Sequence, residues 1–333
     1  MSMRTPGRLS IVMPCYNEQE GLAASAAQVL QVLADLVARG RVAEGSNLYL
    51  VDDGSRDGTW AVIESLAAAD ARVVGLKLSR NRGHQNALLA GLMNADGDAV
   101  ISLDADLQDD IAVIDEMVSA WQAGNEVVYG VRRSRVQDSF FKRWSARRYY
   151  AMLRLLGVDV VPDHAEYRLL GRAALEALAE FPETNLFLRG LVPQLGYPSA
   201  QVFYDRKLRL AGETKYPLRR MVGLGLDGIT SFSAVPLRLI AAGGALLFVL
   251  STFVALWVLG VRLFTDHSVP GWASTTLPIY ALGGVQLLCL GVVGEYVAKV
   301  YMEVKRRPRF IIEKVAGDTG SVVARTDKSK LQQ

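Results

Sequence analysis

The 333-residue sequence contains few cysteines and few histidines. Cys15 and Cys289 lie far apart, one in an apparent strand and one in an apolar run, so a disulfide framework is not expected. His84, His164 and His267 lack the spacing of metal ligands, which argues against a zinc site. The chain also has little net charge, formally +3, and nothing in that balance indicates a nucleic-acid partner.

The amino terminus lacks the long apolar stretch of a secretion signal. In MSMRTPGRLSIVMPCYNEQE the apolar core is only about five residues long, whereas a signal peptide has roughly 7–15. We therefore expect intracellular chemistry.

The carboxyl-terminal third lacks charge over two long stretches. No Asp, Glu, Lys or Arg occurs from Leu239 to Val261 or from His267 to Gly294, and a bilayer core requires roughly 20 apolar helical residues. Buried core helices are the alternative, but two such stretches in tandem exceed what soluble proteins contain. The intervening loop FTDHSVPGWAS has no Lys or Arg, whereas basic residues flank the pair: Arg219, Arg220, Arg238, Lys305, Arg306, Arg307 and Arg309. By the positive-inside rule, the sequence predicts two spans with both ends in the cytoplasm.

Short apolar runs alternate with helical patterns from Leu9 to about Val131. The runs are LSIVM, NLYLVD, VVGLKL, DAVISLD and EVVYGV. Nearly continuous apolar runs are typical of strands buried on both faces, and therefore of a mostly parallel sheet covered by helices. The sequence predicts an α/β fold with its functional residues at the carboxyl ends of the strands.

Polar clusters follow the first and second runs, as PCYNEQE and DDGSRDGT. A helix cap accounts for Asp57, and capping is also an ordinary explanation for Asn17 and Glu18. The pair Asp52 and Asp53 exceeds what a cap requires. Acceptors at this position can bind the ribose hydroxyls or the base edge of a nucleotide.

The segment LDADLQDD after the fourth run carries four carboxylates. Asp109 and Asp110 fit a solvated helix start, where acidic residues are favourable. That explanation leaves Asp104 and Asp106. Alternate residues on an extended segment point the same way, so these two carboxylates can share one hard divalent ion, Mg²⁺ or Mn²⁺, that also holds a diphosphate.

In their order and spacing, MPCYNEQE, VDDGSRDGT, NRGHQNALLAGL and DADLQDD resemble the inverting glycosyltransferases of family 2, which have the GT-A fold. DHAEYRLLGRAALEAL, NLFLRGLVPQLGY, YDRKLRLAGETKYPLRRM and DGITSFSAVPLRL, followed by two spans, are similar to the polyprenyl-phosphate glycosyltransferases. These include bactoprenol glucosyltransferases and, more distantly, dolichol-phosphate mannose synthase. The resemblance covers roughly residues 8 to 312.

The patterning and the resemblance together predict four segments. They are a cytoplasmic GT-A domain (1–213), an interfacial amphipathic helix (214–235), a two-helix transmembrane region (236–303) and a cytoplasmic basic tail (304–333). The resemblance implies a multi-pass protein of the inner (cytoplasmic) membrane. Gly243-Gly244 and Gly283-Gly284 indicate close helix packing, and relatives associate through their membrane segments, which implies a homo-oligomer such as a tetramer.

The resemblance implies metal-dependent transfer of a sugar from a nucleotide diphosphate to a polyprenyl phosphate such as undecaprenyl phosphate. UDP-glucose is the first expected donor and UDP-N-acetylglucosamine the second, and a flippase is the expected downstream partner. Asp104 and Asp106 are the metal ligands and count as catalytic. The nucleotide sugar is assigned to Pro14, Tyr16, Asn17, Glu18, Asp52, Asp53, Gln108 and Arg206.

The lipid acceptor needs positioning more than a base, because a phosphate monoester has a second pKa of about 6. By resemblance the lipid phosphate is assigned to Arg132, Arg135, Lys142, Arg143, Ser145, Arg209 and Lys215. Asp163 and Glu166 are candidates for a catalytic base or for ligands of the sugar hydroxyls. Relatives often carry Asp-Phe-Arg where this chain has Glu166-Tyr167-Arg168.

Two other functions remain open. A polysaccharide synthase of the same family would extend a chain through its own pore, but two spans are few and no QxxRW-like segment occurs. A non-catalytic membrane scaffold is the other.

Overall fold

The computed structural model describes residues 4–132, 164–181, 188–205, 235–264 and 272–317. The chain forms two compact units. Of the described residues, the first contains 4–132, 164–181, 188–205 and 307–317, and the second contains 235–264 and 272–306.

The first unit is built on a mixed sheet of eight described strands. In chain order they are β1 Leu9–Cys15, β2 Asn47–Asp52, β3 Val73–Leu78, β4 Ala99–Ser102, β5 Val127–Arg132, β6 His164–Gly171, β7 Ser199–Tyr204 and β8 Ile312–Ala316. Their order across the sheet is β7-β5-β6-β4-β1-β2-β3-β8. Parallel pairs join β1 to β2 and β4, β2 to β3, and β5 to β7, whereas β6 and β8 run antiparallel to their neighbours. The predicted α/β class with a mostly parallel sheet is confirmed, and the five apolar runs form β1 to β5.

Helices connect the strands and cover the apolar core. They are α1 Leu22–Ala38, α2 Thr59–Ala69, α3 His84–Asn94, α4 Ile114–Gln122, α5 Arg172–Ala179 and α6 Leu188–Gln194, with a 3₁₀ turn at Ile111–Val113. In α1, the buried residues Leu22, Ala26, Val29, Leu33 and Leu36 recur at the three- or four-residue spacing of one helix face. Every residue of β1 is buried, as expected for a strand covered on both sides.

The edge strand β8 comes from the chain after the two long helices of the second unit. It pairs with β3, with Gly75 opposite Ala316, and the Ser79 amide donates to the Ile311 carbonyl over 2.9 Å. The sequence did not predict this strand: residues 304–333 were expected to form a basic tail. The sheet of the first unit therefore draws strands from both sides of the second unit in the sequence.

The second unit contains two long helices, α7 Val235–Phe264 and α8 Trp272–Val304. Large apolar side chains are exposed along both, including Phe253, Trp257, Leu287 and Leu290. Among the helical residues that the structure describes, one stretch, Val285–Val304, is long and apolar enough to cross a bilayer, with a mean hydropathy of 1.4. The predicted first span lies within α7 and the described part of the second lies within α8. The predicted interfacial helix lies outside the described residues.

Candidate active site

The polar loops that follow the parallel strands meet at one edge of the sheet. Because β1 pairs in parallel with both β2 and β4, their carboxyl ends lie side by side. β5 runs in the same direction as β4, since both are antiparallel to β6. The loops after β1, β2, β3, β4 and β5 are therefore neighbours.

The two aspartates that end β2 have different surroundings. Asp53 accepts backbone hydrogen bonds from Arg82 at 2.7 Å and from Gly83 at 2.9 Å, one on each carboxylate oxygen. Asp52 is fully buried, and its Oδ1 accepts the Ser55 amide at 3.0 Å. Its Oδ2 has no hydrogen-bond partner in the described part of the chain. Asp53 therefore holds the loop after β3, and Asp52 retains a free acceptor.

Burial raises the pKa of the Asp53 carboxyl, although the amides of Arg82 and Gly83 oppose the shift. The same two loops touch closely at Gly54, which has φ +66°. A Cβ there would lie 2.5 Å from the backbone of Arg80 and Asn81, so only glycine fits. These contacts fix the NRGH segment against the end of β2.

The loop after β1 is fastened to the loop after β2. Asn17 has φ 56°, its amide donates to Ser55 Oγ at 3.0 Å, and its Oδ1 accepts the Arg56 amide at 2.9 Å. The Glu18 amide donates to Thr59 Oγ1 at 2.9 Å. These bonds hold both predicted nucleotide loops in one arrangement.

Asp57 acts as the predicted cap. Its Oδ1 accepts the amide of Thr59, the first residue of α2, at 3.0 Å. Thr59 Oγ1 also donates to it, and these bonds outweigh the effect of burial and lower the pKa of the carboxyl. Asp57 therefore satisfies the first amide of α2 from one position before the N-cap residue, Gly58.

A pocket of about 160 Å³ opens between the loops after β1, β2 and β3. It is lined by Pro14, Cys15, Tyr16, Asp53, Asn81, Gly83 and His84. Three residues predicted to bind the nucleotide sugar, Pro14, Tyr16 and Asp53, thus line the same pocket as three residues of the segment Asn81–His84. Burial, together with the charges of Asp52 and Glu18, raises the pKa of the Cys15 thiol. Cys15 therefore lines the pocket as a neutral thiol.

The segment after β4 is a turn, not the extended segment expected from the sequence. The Leu107 amide donates to the Asp104 carbonyl at 3.2 Å, and Leu107 itself has φ 44°. Strand alternation therefore does not set the directions of the Asp104 and Asp106 side chains. Gln108, predicted to assist the metal or diphosphate, donates from Nε2 to Asp106 Oδ2.

Asp104 is the strongest candidate for a metal ligand at this turn. Its side chain is 39% exposed, yet its Oδ1 is buried with no hydrogen-bond partner among residues that the structure describes. His84 Nε2 lies 3.5 Å from that oxygen. Burial and then the nearby carboxylates of Asp109, Asp106 and Glu166 raise the pKa of Asp104, whereas His84 opposes the shift. A cation would relieve this repulsion.

The described residues contain no group of three or more His, Cys, Asp and Glu side chains that could hold a metal by themselves. Two neighbouring carboxylates still fit Mg²⁺ or Mn²⁺, because such ions are held by one or two carboxylates together with substrate phosphates. The residues present therefore suit a metal that arrives with a nucleotide diphosphate.

Asp109 differs from its prediction as part of a solvated helix start. It is 2% exposed, and its Oδ1 accepts from Tyr204 Oη at 2.6 Å and from Arg132 Nη2 at 3.0 Å. The reason is tertiary: the chain turns inward here toward the ends of β5 and β7. Asp110 does cap the 3₁₀ turn, accepting the Ala112 amide at 3.2 Å.

Glu166, near the start of β6, is held by two guanidinium groups. Arg168 donates to its Oε2 at 2.6 Å and Arg189 to its Oε1 at 2.8 Å. Burial favours the neutral acid, but the ion pairs outweigh it and lower the pKa of Glu166. Arg168 is 1% exposed and also donates to the Leu188 carbonyl at 3.1 Å. A carboxylate occupied in this way suits a positioning role better than a proton acceptor.

Several predicted site residues lie outside the described residues. They are Arg135, Lys142, Arg143, Ser145, Asp163, Arg206, Arg209 and Lys215. Their assignments remain predictions.

Sequence reasoning missed several residues of this edge. Asn81 and His84 follow β3 just as the predicted residues follow β1 and β2, so the strand-end rule was the available signal. No sequence signal indicates that Arg189 would reach Glu166 or that Tyr204 would reach Asp109, because these residues are 23 and 95 positions apart.

Comparisons with known proteins agree with the motifs. A family model described as Glycosyl transferase family 2 matches residues 10–179. The uncharacterized glycosyltransferase YkoT of Bacillus subtilis is 45% identical over 98% of this chain and 97% of its own. The SfII prophage-derived bactoprenol glucosyl transferase of Shigella flexneri is 36% identical over 92% and 98%. A solved structure of the mannosyltransferase PcManGT from Pyrobaculum calidifontis, in complex with GDP-Man and Mn²⁺, has 20% identity and a TM-score of 0.47 over 89% of this chain and 85% of that one. As the motifs predicted, the chain is a glycosyltransferase that belongs to glycosyl transferase family 2.

Proposed function

We propose that this enzyme transfers a hexose, with inversion, from a nucleotide diphosphate to the phosphate of a polyprenyl lipid. The observation that carries the proposal is the full-length similarity to a bactoprenol glucosyl transferase, which includes the region of α7 and α8 as well as the catalytic motifs. UDP-glucose is the first donor to test and UDP-N-acetylglucosamine the second. Family membership and the mixed sheet with polar strand ends also support the GT-A fold.

The donor binds at the pocket between the loops after β1, β2 and β3. Asp52 is not part of the pocket lining but directly precedes Asp53, which is, and it keeps a buried acceptor without a hydrogen-bond partner among the described side chains. An unmet buried acceptor is costly unless a ligand supplies the donor, and ribose hydroxyls or a base N–H do so. Tyr16 is 41% exposed, which leaves its ring accessible for stacking.

Asp104 and Asp106 would hold Mg²⁺ or Mn²⁺, with Gln108 orienting Asp106. When bound, the ion neutralises the charge that develops on the departing nucleoside diphosphate. Only through such an ion would these carboxylates hold the two phosphates of the donor at the turn after β4. His84, 3.5 Å from Asp104, is a further candidate for orienting that carboxylate.

The acceptor phosphate is largely dianionic at neutral pH, because its second pKa is about 6, so a general base is not strictly needed. Arg132 at the end of β5, with the basic residues that follow it in sequence, supplies a positive charge for it. Glu166 is proposed to bind the sugar hydroxyls or to hold the amino-terminal end of α6. Asp163 remains the candidate for a catalytic base.

The two long helices anchor the enzyme in the cytoplasmic membrane, with the catalytic unit and both ends in the cytoplasm. The apolar side chains exposed on α7 and α8 support this proposal, because such surfaces are stable only against lipid or protein. Chain connectivity adds a second argument. β7 and β8 flank the helices in sequence and belong to one sheet, so the chain must enter and leave a bilayer on the same side. Glycine pairs in both helices support a homo-oligomer.

Purified full-length protein with undecaprenyl phosphate, Mn²⁺ or Mg²⁺ and a panel of radiolabelled nucleotide sugars tests the proposal. We expect label from one sugar to enter the organic phase and to disappear with EDTA. Label in a polymeric product would instead favour the polysaccharide synthase. Absence of label with every donor would contradict the proposed acceptor and favour a scaffold.

A further inference from the structure

We propose that Asp109 is a positioning residue, which holds Arg132 in place for the lipid phosphate. This inference rests on the proposed function, in which Arg132 binds the acceptor. It assigns a role to a buried carboxylate that neither the donor site nor the metal site uses.

Asp109, Arg132 and Tyr204 form a closed set of hydrogen bonds. Asp109 Oδ1 accepts from Arg132 Nη2 at 3.0 Å and from Tyr204 Oη at 2.6 Å. Arg132 Nε in turn lies 3.3 Å from Tyr204 Oη, to which it donates. Two of the three nitrogens of the guanidinium are thereby directed at fixed protein atoms.

The burial of the three residues shows which end faces outward. Asp109 and Tyr204 are each 2% exposed, whereas the Arg132 side chain is 31% exposed. Arg132 Nη1 has no acceptor within the described ranges of the chain. Two nitrogens of the guanidinium are thus fixed by the protein in a side chain that stays partly exposed, and Nη1 is left to donate a charge-assisted hydrogen bond to a phosphate.

Asp109 also links this arginine to the metal turn. It follows Gln108 directly and lies three positions after Asp106 in the chain. Tyr167 strengthens the link, because its hydroxyl donates to the Asp110 carbonyl at 3.2 Å and its ring packs edge-on against Tyr204 at 5.4 Å. Arg132, proposed to bind the lipid phosphate, is therefore held by the same short loop that carries the candidate metal ligands Asp104 and Asp106.

A purely structural ion pair would be the simpler explanation for these contacts. A structural role predicts lower stability and an equal loss of all substrate affinities. A positioning role predicts a selective loss for the lipid phosphate, and it predicts that the loss depends on Arg132.

The experiment compares four full-length proteins in detergent: wild type, Asp109→Asn, Arg132→Gln and the double variant. Asp110→Asn is the matched control, since Asp110 is an adjacent carboxylate that caps a turn. Two readouts are taken: equilibrium binding of farnesyl phosphate, and KM for each substrate in the transfer assay. Tyr204→Phe serves as a milder second probe if Asp109→Asn unfolds.

We expect Asp109→Asn to weaken farnesyl phosphate binding about tenfold, within the range of couplings between contacting residues, with KM for the nucleotide sugar changed less than about twofold. In the Arg132→Gln background, Asp109→Asn should add almost nothing. Additive losses, or equal losses for both substrates, would overturn the inference. If the wild type binds farnesyl phosphate but transfers no sugar, the proposed function fails while the binding cycle still decides the role of Asp109. If it binds none, both fail.

Discussion

The two acidic loops at this sheet edge, DDGS after β2 and DADLQDD after β4, divide their carboxylates in the same way. Asp53 is occupied by two backbone amides and Asp109 by Arg132 and Tyr204, and in the second loop Asp106 and Asp110 also accept hydrogen bonds from Gln108 and Ala112. In each loop one carboxylate keeps an oxygen without a hydrogen-bond partner in the part of the chain described, namely Asp52 and Asp104, although His84 Nε2 lies 3.5 Å from that oxygen of Asp104. The occupied acids shape the loops, and the unoccupied acids are available to a ligand.

This division has an energetic reason. A buried acceptor without a donor costs about 1–3 kcal/mol, so an otherwise well-packed edge retains one only where something else supplies the donor or cation. Substitutions should therefore separate the two classes: the acids with an open oxygen should affect activity with little change in stability, whereas Asp53 should affect stability and Asp109 should act through Arg132.

The largest effect should come from Asp104→Asn. We expect the rate of sugar transfer to fall by about 100-fold or more, the scale for loss of a group that stabilises developing charge. Stability should not fall, because burial and like charges already oppose ionisation of Asp104. Transfer rate and thermal unfolding are measured together, with Asp110→Asn as the control. Full metal-dependent activity in Asp104→Asn would contradict the division.

Glu166→Gln should have the largest effect on stability. It leaves the Arg168 guanidinium buried without its partner charge, and breaking a buried pair costs about 3–5 kcal/mol. Urea unfolding of both proteins at neutral pH measures the difference. The substitution Glu126→Gln, at a carboxylate paired with the more exposed Arg4, provides a matched comparison and should cost less. An equal cost at both sites would contradict the importance of burial.

The stabilising effect of Glu166 should also depend on pH. Its pKa lies below the ordinary value of 4.5, so its contribution is complete above that value and is lost as pH falls through the lower folded-state pKa. The difference in unfolding free energy between wild type and Glu166→Gln should therefore shrink below about pH 4.5. Urea unfolding across the acidic range measures it. A constant difference would show that the ion pairs do not lower this pKa.

A smaller effect should separate the adjacent residues Asp53 and Asp52. Asp53→Asn leaves one backbone amide of the loop after β3 without an acceptor and should cost about 1–2 kcal/mol. Asp52→Asn keeps the Oδ1 contact to Ser55 and should change stability by less than about 0.5 kcal/mol while weakening nucleoside diphosphate binding. Calorimetric unfolding and a UDP titration measure both properties. Equal changes in stability and in UDP affinity for the two variants would contradict the distinction between Asp53 and Asp52.

The smallest effect on activity should come from Asp57→Ala, which removes the carboxylate that accepts the first amide of α2. The expected cost is about 1 kcal/mol, with transfer unchanged. Asp57→Asn retains an oxygen that can accept the Thr59 amide, so it should keep most of the stability that Asp57→Ala loses. A large loss of transfer in a folded Asp57→Ala protein would show that this occupied acid also contacts substrate.

Much of the fold was predictable because its signals are local. The apolar runs of β1 to β5 and the charge-free helices need only a neighbouring stretch of sequence to be recognised. β8 was missed because IEKVA is short and carries two charges, and it becomes a strand only through pairing with β3.

The candidate site was predictable to the level of its loops. Strand ends after β1, β2 and β4 were found from composition, and family motifs named the same residues. The sequence could not predict which aspartate of each pair would be occupied, because Asp53 is satisfied by amides about 30 positions away and Asp109 by Tyr204, 95 positions away.

The sequence by itself therefore determined the α/β class, the acidic strand ends and the two long apolar helices, since periodicity and local charge depend only on nearby residues. The tertiary structure alone decided the turn at Asp104, the inward direction of Asp109 and the ion pairs of Glu166. These depend on long-range contacts, and free energy of burial rather than local preference determines which partners meet.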